Sequence, residues 1–205
     1  TSVGTVTLTN GAVTTNSNIL NWAKFLSSNT NARSFTAGSS TITLSGGGAP
    51  WSSAVATNFT LDMGTSTLIF TNGIGDLDWN VDNGMVFYNV IVSSANGAIF
   101  WWDANETMTT TTLRNLTING PRTLAFSTAD THIITGNLVC NSGPGAVITI
   151  NNNRLSSDPA GIVSKGPAGT ISCDYLDIKD TTFTGGARWY AGANSVNSGN
   201  VTGMI

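Results

Sequence analysis

Leu113-Arg114-Asn115-Leu116-Thr117-Ile118-Asn119-Gly120 is the stretch whose reading decides the fold. In an extended chain Leu116 and Ile118 share one face, and Asn115 and Thr117 share the other. Asn119-Gly120 then ends the strand with two residues that tolerate positive φ. The phrase recurs. Upstream it reads Asn58-Phe59-Thr60-Leu61 and Asn89-Val90-Ile91-Val92; downstream it reads Asn137-Leu138-Val139-Cys140 and, with Tyr in the Asn place, Tyr175-Leu176-Asp177-Ile178. The steps between copies are 31, 26, 22 and 38 residues.

A second phrase runs ahead of the first. Gly38-Ser39-Ser40-Thr41-Ile42-Thr43-Leu44-Ser45-Gly46 is nearly repeated 26 residues on as Gly64-Thr65-Ser66-Thr67-Leu68-Ile69-Phe70-Thr71-Asn72. Looser copies are Ala98-Ile99-Phe100-Trp101, Arg122-Thr123-Leu124-Ala125-Phe126, Ala146-Val147-Ile148-Thr149-Ile150 and Gly169-Thr170-Ile171-Ser172-Cys173. The unit is therefore strand, turn, strand, turn, with a period in the range of solenoids. One unit cannot bury its apolar face alone, whereas stacked copies bury a continuous core.

Two architectures accommodate such units. In a parallel β-helix each unit is one coil, and like phrases stack about 4.7–4.9 Å apart. In a β-sandwich or jelly roll the same strands pair antiparallel. Recurrence of like phrases favours an all-β, right-handed parallel β-helix of irregular coils, with Asn58, Asn89, Asn115 and Asn137 at one corner, bonded as an Asn ladder. Uneven steps count against it and require loops that bulge from one corner.

The 205 residues suffice for one domain with a sizeable core. Charged residues make up only 9%, far below the roughly 25% of an ordinary globular domain. The surface must therefore be built from Thr, Ser, Asn and Gly, which suits an extracellular or virion-exposed β protein. A net charge of −3 leaves no footprint for nucleic acid. Glu106 is the only glutamate among 11 acidic residues, consistent with turns and strands rather than helices. No apolar run is long enough for a transmembrane helix. The missing initiator Met implies a processed chain or a piece of a longer one. Cys140 and Cys173 sit on apolar strand phrases and read as buried free thiols, with a disulfide as the alternative.

Residues 1–205 read as a single solenoid domain. Residues 1–36 form an N-terminal cap, in which residues 18–26 (NILNWAKFL) are the one segment that suits a short capping helix. Residues 37–150 are the repeat array. Residues 151–168, rich in Asn, Ser, Pro and Gly, read as a long turn or lateral insertion. Residues 169–205 are the terminal coil and C-terminal cap.

The closing stretch carries a resemblance. Asp174-Tyr175-Leu176-Asp177-Ile178-Lys179-Asp180, then Gly185-Gly186-Ala187-Arg188-Trp189-Tyr190-Ala191-Gly192-Ala193-Asn194-Ser195 and Gly199-Asn200-Val201-Thr202-Gly203, resembles a C-terminal phrase of β-rich surface and tail-associated proteins of bacteriophages and of phage-derived bacterial genes. The phrases at residues 38–44 and 87–92 are similar to that group as well. Met204 stands where the family carries Trp. The resemblance implies a virion-exposed structural or attachment protein, commonly trimeric, and carries over no catalytic residues.

Several constellations invite a chemical reading. Asp76-Leu77-Asp78-Trp79-Asn80-Val81-Asp82-Asn83-Gly84 places oxygen ligands at alternate positions, as a calcium loop does, but Val81 and Phe87 stand where such a loop needs Gly and Glu. A strand with Leu77, Trp79 and Val81 inward explains it without metal. In Phe100-Trp101-Trp102-Asp103 a regular strand cannot place Trp101 and Trp102 on one face, so one ring faces outward. Trp101, Trp102, Trp189 and Tyr190 are accordingly the candidate glycan- or subunit-contact aromatics. His132, the only histidine, lies near Asp130, but no G-x-S-x-G nucleophile elbow accompanies it. Asp78, Asp82 and Asp103 are the carboxylates a glycosidase would draw on, yet no Arg or Lys stands with them. No catalytic residue, metal or cofactor is assigned.

These readings converge on a phage structural protein at the particle surface, serving host attachment as a tail fibre or spike, or decorating capsid or tail. It is expected to be a homotrimer whose partners are its own copies, other virion proteins and a host-surface glycan, without nucleic acid or membrane insertion. The alternatives are a polysaccharide depolymerase and a segment of a bacterial adhesin.

Overall fold

The computed structural model describes residues 3–71, 76–93, 99–102, 110–126, 130–152 and 161–204, and for Val3 and Ile99–Trp102 the backbone alone. The described elements are all strands, 17 in one sheet and three in another. Every strand pair is parallel. A sandwich needs antiparallel neighbours, so the fold is a parallel β-helix.

Each coil has three faces rather than two. On the first, Ile19–Leu26 begins a ladder that continues through Thr41–Leu44, Thr67–Phe70, residues 89–92, residues 115–118, Leu138–Asn141 and Ile171–Ser172. The second runs from Val3–Thr7 through residues 22–26, Gly48–Ser53, Leu77–Val81, Ile99–Trp102, Arg122–Phe126, Ile148–Asn151 and residues 176–178 to residues 196–197. The third holds Gly11–Thr14, Arg33–Thr36 and Phe59–Asp62, and lower down residues 86–87, residues 110–113, Thr131–Ile134, Gly161–Lys165 and residues 181–184.

The core follows from alternation along every strand. On the first face Ile42, Leu68, Val90, Leu116 and Leu138 form one inward column, and Leu44, Phe70, Val92, Ile118 and Cys140 the next. In the N-terminal half the interior is aromatic. Phe25 lies 4.4 Å from Trp51 and 4.8 Å from Phe35, centroid to centroid, and Trp79 lies 4.8 Å from Phe87. Toward the C-terminus aliphatic side chains such as Ile148, Ile150 and Ile178 take over.

Outside the core, the first-face corner is tied by amides. Asn89 Nδ2 donates to Thr67 Oγ1 (3.2 Å), Asn115 Nδ2 to Asn89 Oδ1 (2.7 Å), the Asn137 amide to Asn115 Oδ1 (2.9 Å) and the Thr170 amide to Asn137 Oδ1 (3.0 Å). The other end of this face carries a shorter ladder, in which Asn141 donates to Asn119 (2.7 Å) and Asn119 to Ser93 (3.0 Å).

Six expectations are corrected. Asn58 is not in the Asn ladder: it precedes a third-face strand, and its Nδ2 donates to Thr30 O (3.0 Å). Tyr175 likewise precedes a second-face strand. The two sequence phrases are not two strand families, since Thr41–Leu44 and residues 115–118 share one ladder. Residues 18–26 supply no helix; Ile19–Leu26 is a strand, because pairing on both sides and the stacking of Phe25 on Trp51 outweigh local propensity. Within the expected lateral insertion, Gly161–Lys165 is a strand with alternating burial, paired on both sides. Finally, Cys140 and Cys173 are joined in a disulfide, their Cα atoms 4.6 Å apart. Stacking of adjacent coils is what brings them together: Val139 is in register with Ser172, one residue before each cysteine.

The inward columns generate a prediction. Ile118 is fully buried, so Ile118→Asp places an unpaired carboxylate in the core and should abolish folding. Ile118→Val should fold with a loss of about 0.5–1.5 kcal/mol. Circular dichroism and urea titration read both; a soluble, native-like Asp variant would refute the inward assignment.

Candidate functional site

The third face is interrupted. Among the described residues, Phe59–Asp62 is the edge of the three-stranded sheet and pairs only with Arg33–Thr36, while the strand below it on this face, residues 86–87, pairs only downward with residues 112–113. A side chain bridges part of the break: Asp82 Oδ2 accepts the Ala56 amide (2.6 Å), and Oδ1 accepts the Asn83 amide (2.7 Å). Between the two edges lies a solvent-open cleft of about 350 Å³, within the size range of small-molecule sites.

Register explains which side chains line it. Val86 is in register with Thr112 and Phe87 with Leu113, so Tyr88 and Arg114 follow one another at the next corner position, 26 residues apart. The Arg114 guanidinium carbon lies 5.1 Å from the Tyr88 ring centroid, a distance at which the ring's quadrupole attracts the cation. The opposite lip is Leu61-Asp62-Met63-Gly64. There Asp62 Oδ1 accepts the Gly64 amide (2.9 Å). Gly64 has φ 51°, and a Cβ on it would come within 2.4 Å of Gly38 O, so only glycine lets the lip turn here. Val86, 57% exposed, supplies an apolar floor. The cleft thus offers a planar cation, a carboxylate, an aromatic ring and hydroxyl groups along one short groove.

The structure separates the candidate aromatics. Trp189 is 2% exposed; it packs 4.7 Å from Phe183 and donates through Nε1 to Thr184 O (2.8 Å). It plugs the end of the core and is unavailable to glycan or partner, a correction to its expected role. Tyr190, its neighbour, is 60% exposed. This terminal segment is held by Asp174, whose Oδ1 accepts the Tyr175 and Asn194 amides (2.8 and 2.9 Å) and whose Oδ2 accepts Asn194 Nδ2 (2.8 Å). Those bonds hold its carboxyl below the usual carboxylate range. Trp101 and Trp102 stand in register with Asp78 and Trp79 on one side and with Ala125 and Phe126 on the other; the expectation that one of their rings faces outward lies outside the described side chains.

The acids resolve into structural positions. Leu77, Trp79 and Val81 are fully buried, as alternation requires. Asp78 lies on the opposite side of that strand, its carboxyl raised by burial and then by the charge of Asp76. Asp82 spends both oxygens on backbone amides. Asp103 and Glu106 lie outside the described residues. No group of three or more His, Cys, Asp or Glu residues with metal-binding geometry occurs among the described residues.

His132 is fully buried on an inward position, in register with Thr111 above and Val163 below, its ring 4.8 Å from that of Phe126. Burial lowers its pKa from 6.5 to about 3. The unfolded chain therefore binds a proton that the folded chain refuses between those values, and stability is full above pH 6.5 and falls as pH drops toward 3. Between pH 6.5 and 5 carboxylates titrate little, so denaturant melts should lose up to ~1.4 kcal/mol per pH unit. His132→Phe should flatten that slope; an unchanged slope in the variant would refute the assignment.

Comparison of the chain with protein-family models, with curated proteins and with solved structures finds no match.

Proposed function

We propose that this chain is a bacteriophage virion structural protein, exposed on the particle surface and acting in host attachment as part of a tail fibre or spike, or in decoration of capsid or tail. The observation that carries this reading is the construction of the rod itself. A stack of parallel coils is cross-tied on its outside by the Thr67-Asn89-Asn115-Asn137-Thr170 ladder and on its inside by the Cys140–Cys173 disulfide. Amide ladders keep their strength without charge, and a disulfide persists in an oxidising exterior. With only 9% charged residues, such a surface suits a particle exposed to changing ionic strength. The resemblance of residues 174–203 to phage surface proteins supports the same assignment.

Assembly as a homotrimer belongs to this proposal. Tyr190 and Val196, 60% and 58% exposed near the C-terminal end, are the apolar groups available for subunit contact there. Burying a large apolar side chain contributes about 1.5–3 kcal/mol, and closed three-fold symmetry multiplies it without forming fibres.

Two measurements test the proposal. Antibody against residues 1–205 should label phage particles in immunogold electron microscopy; label confined to the bacterial surface would favour an adhesin segment instead. Light scattering at micromolar concentration should give about 64 kDa, three times the 21.2 kDa chain. A mass of one chain would end the trimer, and Tyr190→Ser should shift the protein toward that mass.

A further inference from the structure

We propose that the cleft between Phe59–Asp62 and residues 86–88 binds an acidic saccharide, a hexuronate unit, with Arg114 taking its carboxylate and Asp62 its hydroxyls. This rests on the attachment reading and deepens it by naming the site and the sugar class.

The first support is the cleft's origin. A parallel β-helix ordinarily closes each face by backbone pairing, and here the third-face ladder stops at Phe59–Asp62 and restarts at residues 86–87. The coil is held across this break by the Asp82 carboxylate on the Ala56 amide, so the opening is kept by specific contacts. An unpaired strand edge leaves backbone donors and acceptors toward the groove, which a polyhydroxylated ligand satisfies. The edge is four residues long and is closed by the Asp62–Gly64 turn, which is short for an added peptide strand.

The second support is what the lining leaves unused. The Arg114 side chain makes no hydrogen bond or ion pair among the described residues; its contact is the Tyr88 ring. That ring holds the guanidinium by its charge while the forked N–H donors keep no partner among the described residues, and such donors take a carboxylate bidentately. Asp62 commits Oδ1 to the Gly64 amide and keeps Oδ2 as an acceptor for sugar hydroxyls. The Tyr88 and Thr112 hydroxyls make no hydrogen bond among the described residues, and Val86 is exposed beside them. A hexuronate presents a carboxylate, hydroxyls and an apolar C–H face within one ring, and each has a counterpart here. A neutral sugar leaves the guanidinium unanswered, and a simple carboxylate leaves Asp62 and Val86 unanswered.

The probes are digalacturonate, its methyl ester and acetate, titrated into the intact chain and followed by amide chemical shifts. Saturable shifts at Leu61, Asp62, Tyr88 and Arg114 are expected with digalacturonate. The methyl ester and Arg114→Gln should each weaken binding on the order of tenfold, and added salt should weaken it because the pair is exposed. Arg114 is on the surface, so the Gln variant should keep the wild-type melting temperature; if it does not, Asp62→Asn and the methyl ester carry the same test. Equal binding of acid and ester, of wild type and Arg114→Gln, or of digalacturonate and acetate would overturn the proposal. Immunogold labelling separates the two readings. Labelled particles with no uronate binding overturn the cleft site and leave the virion role standing. Uronate binding lost in Arg114→Gln, without labelled particles, upholds the site and overturns the virion role.

Discussion

Parallel, in-register pairing between successive coils is the interaction on which everything else depends. It satisfies the backbone of each strand with the strands above and below, and it forces like positions into columns. An inward column then stays inward along the rod, because a slip of one residue would turn every side chain to the other face. The Ile42-to-Leu138 column, the Phe25–Trp51 stack and the Asn ladder are one constraint expressed on apolar, aromatic and amide side chains. The Cys140–Cys173 disulfide has the same origin: the cysteines lie 33 residues apart in sequence but one coil apart in space.

Where pairing lapses, the molecule acquires a feature that the columns would otherwise erase. The third face breaks between Phe59–Asp62 and residues 86–87, and the cleft, its free carboxylate oxygen and the Tyr88–Arg114 pair all belong to that break. Elsewhere the buried polar groups are structural. Arg33, 3% exposed, donates from Nε to Ser27 Oγ (2.8 Å) and from Nη2 to Val55 O (2.6 Å), knitting a corner. Lys165, 1% exposed, donates its ammonium to the carbonyls of Gly166 and Ala168. These cations replace water at tight corners with backbone acceptors.

The alternation of Leu116 and Ile118 and the recurrence of the Asn phrase made the coil legible from sequence, and the ladder through Asn89, Asn115 and Asn137 follows from them. The face to which a strand belongs was not legible. All three faces carry the same inward-outward alternation, so Asn58 and Tyr175 look like ladder members and are not. The strand Ile19–Leu26 was obscure because it turns a corner within its length, pairing with Thr41–Leu44 up to Trp22 and with residues 51–52 from Phe25 onward, which breaks the simple alternation. Trp189 was misjudged because Gly-rich surroundings suggest exposure, whereas its ring closes the core over Phe183. The cleft had a faint signal: Tyr88 and Arg114 are separated by the same 26 residues as Asn89 and Asn115, so the ladder that pairs the asparagines also pairs them. The break above them leaves no such trace, since it arises from a pairing that does not form.

The central claim is register, and paired cysteines test it directly. Thr117 and Val139 are register partners on the outward side of the first face, and parallel neighbours are about 4.7–4.9 Å apart, within reach of a disulfide. Thr117 and Asn141 are offset by two residues, beyond the roughly 7 Å limit between Cα atoms. With Cys140 and Cys173 replaced by Ser, Thr117→Cys/Val139→Cys should crosslink nearly completely under mild oxidation, read by peptide mass mapping. Thr117→Cys/Asn141→Cys should stay reduced. Crosslinking of the offset pair, or of both pairs alike, would contradict the stacked-coil account.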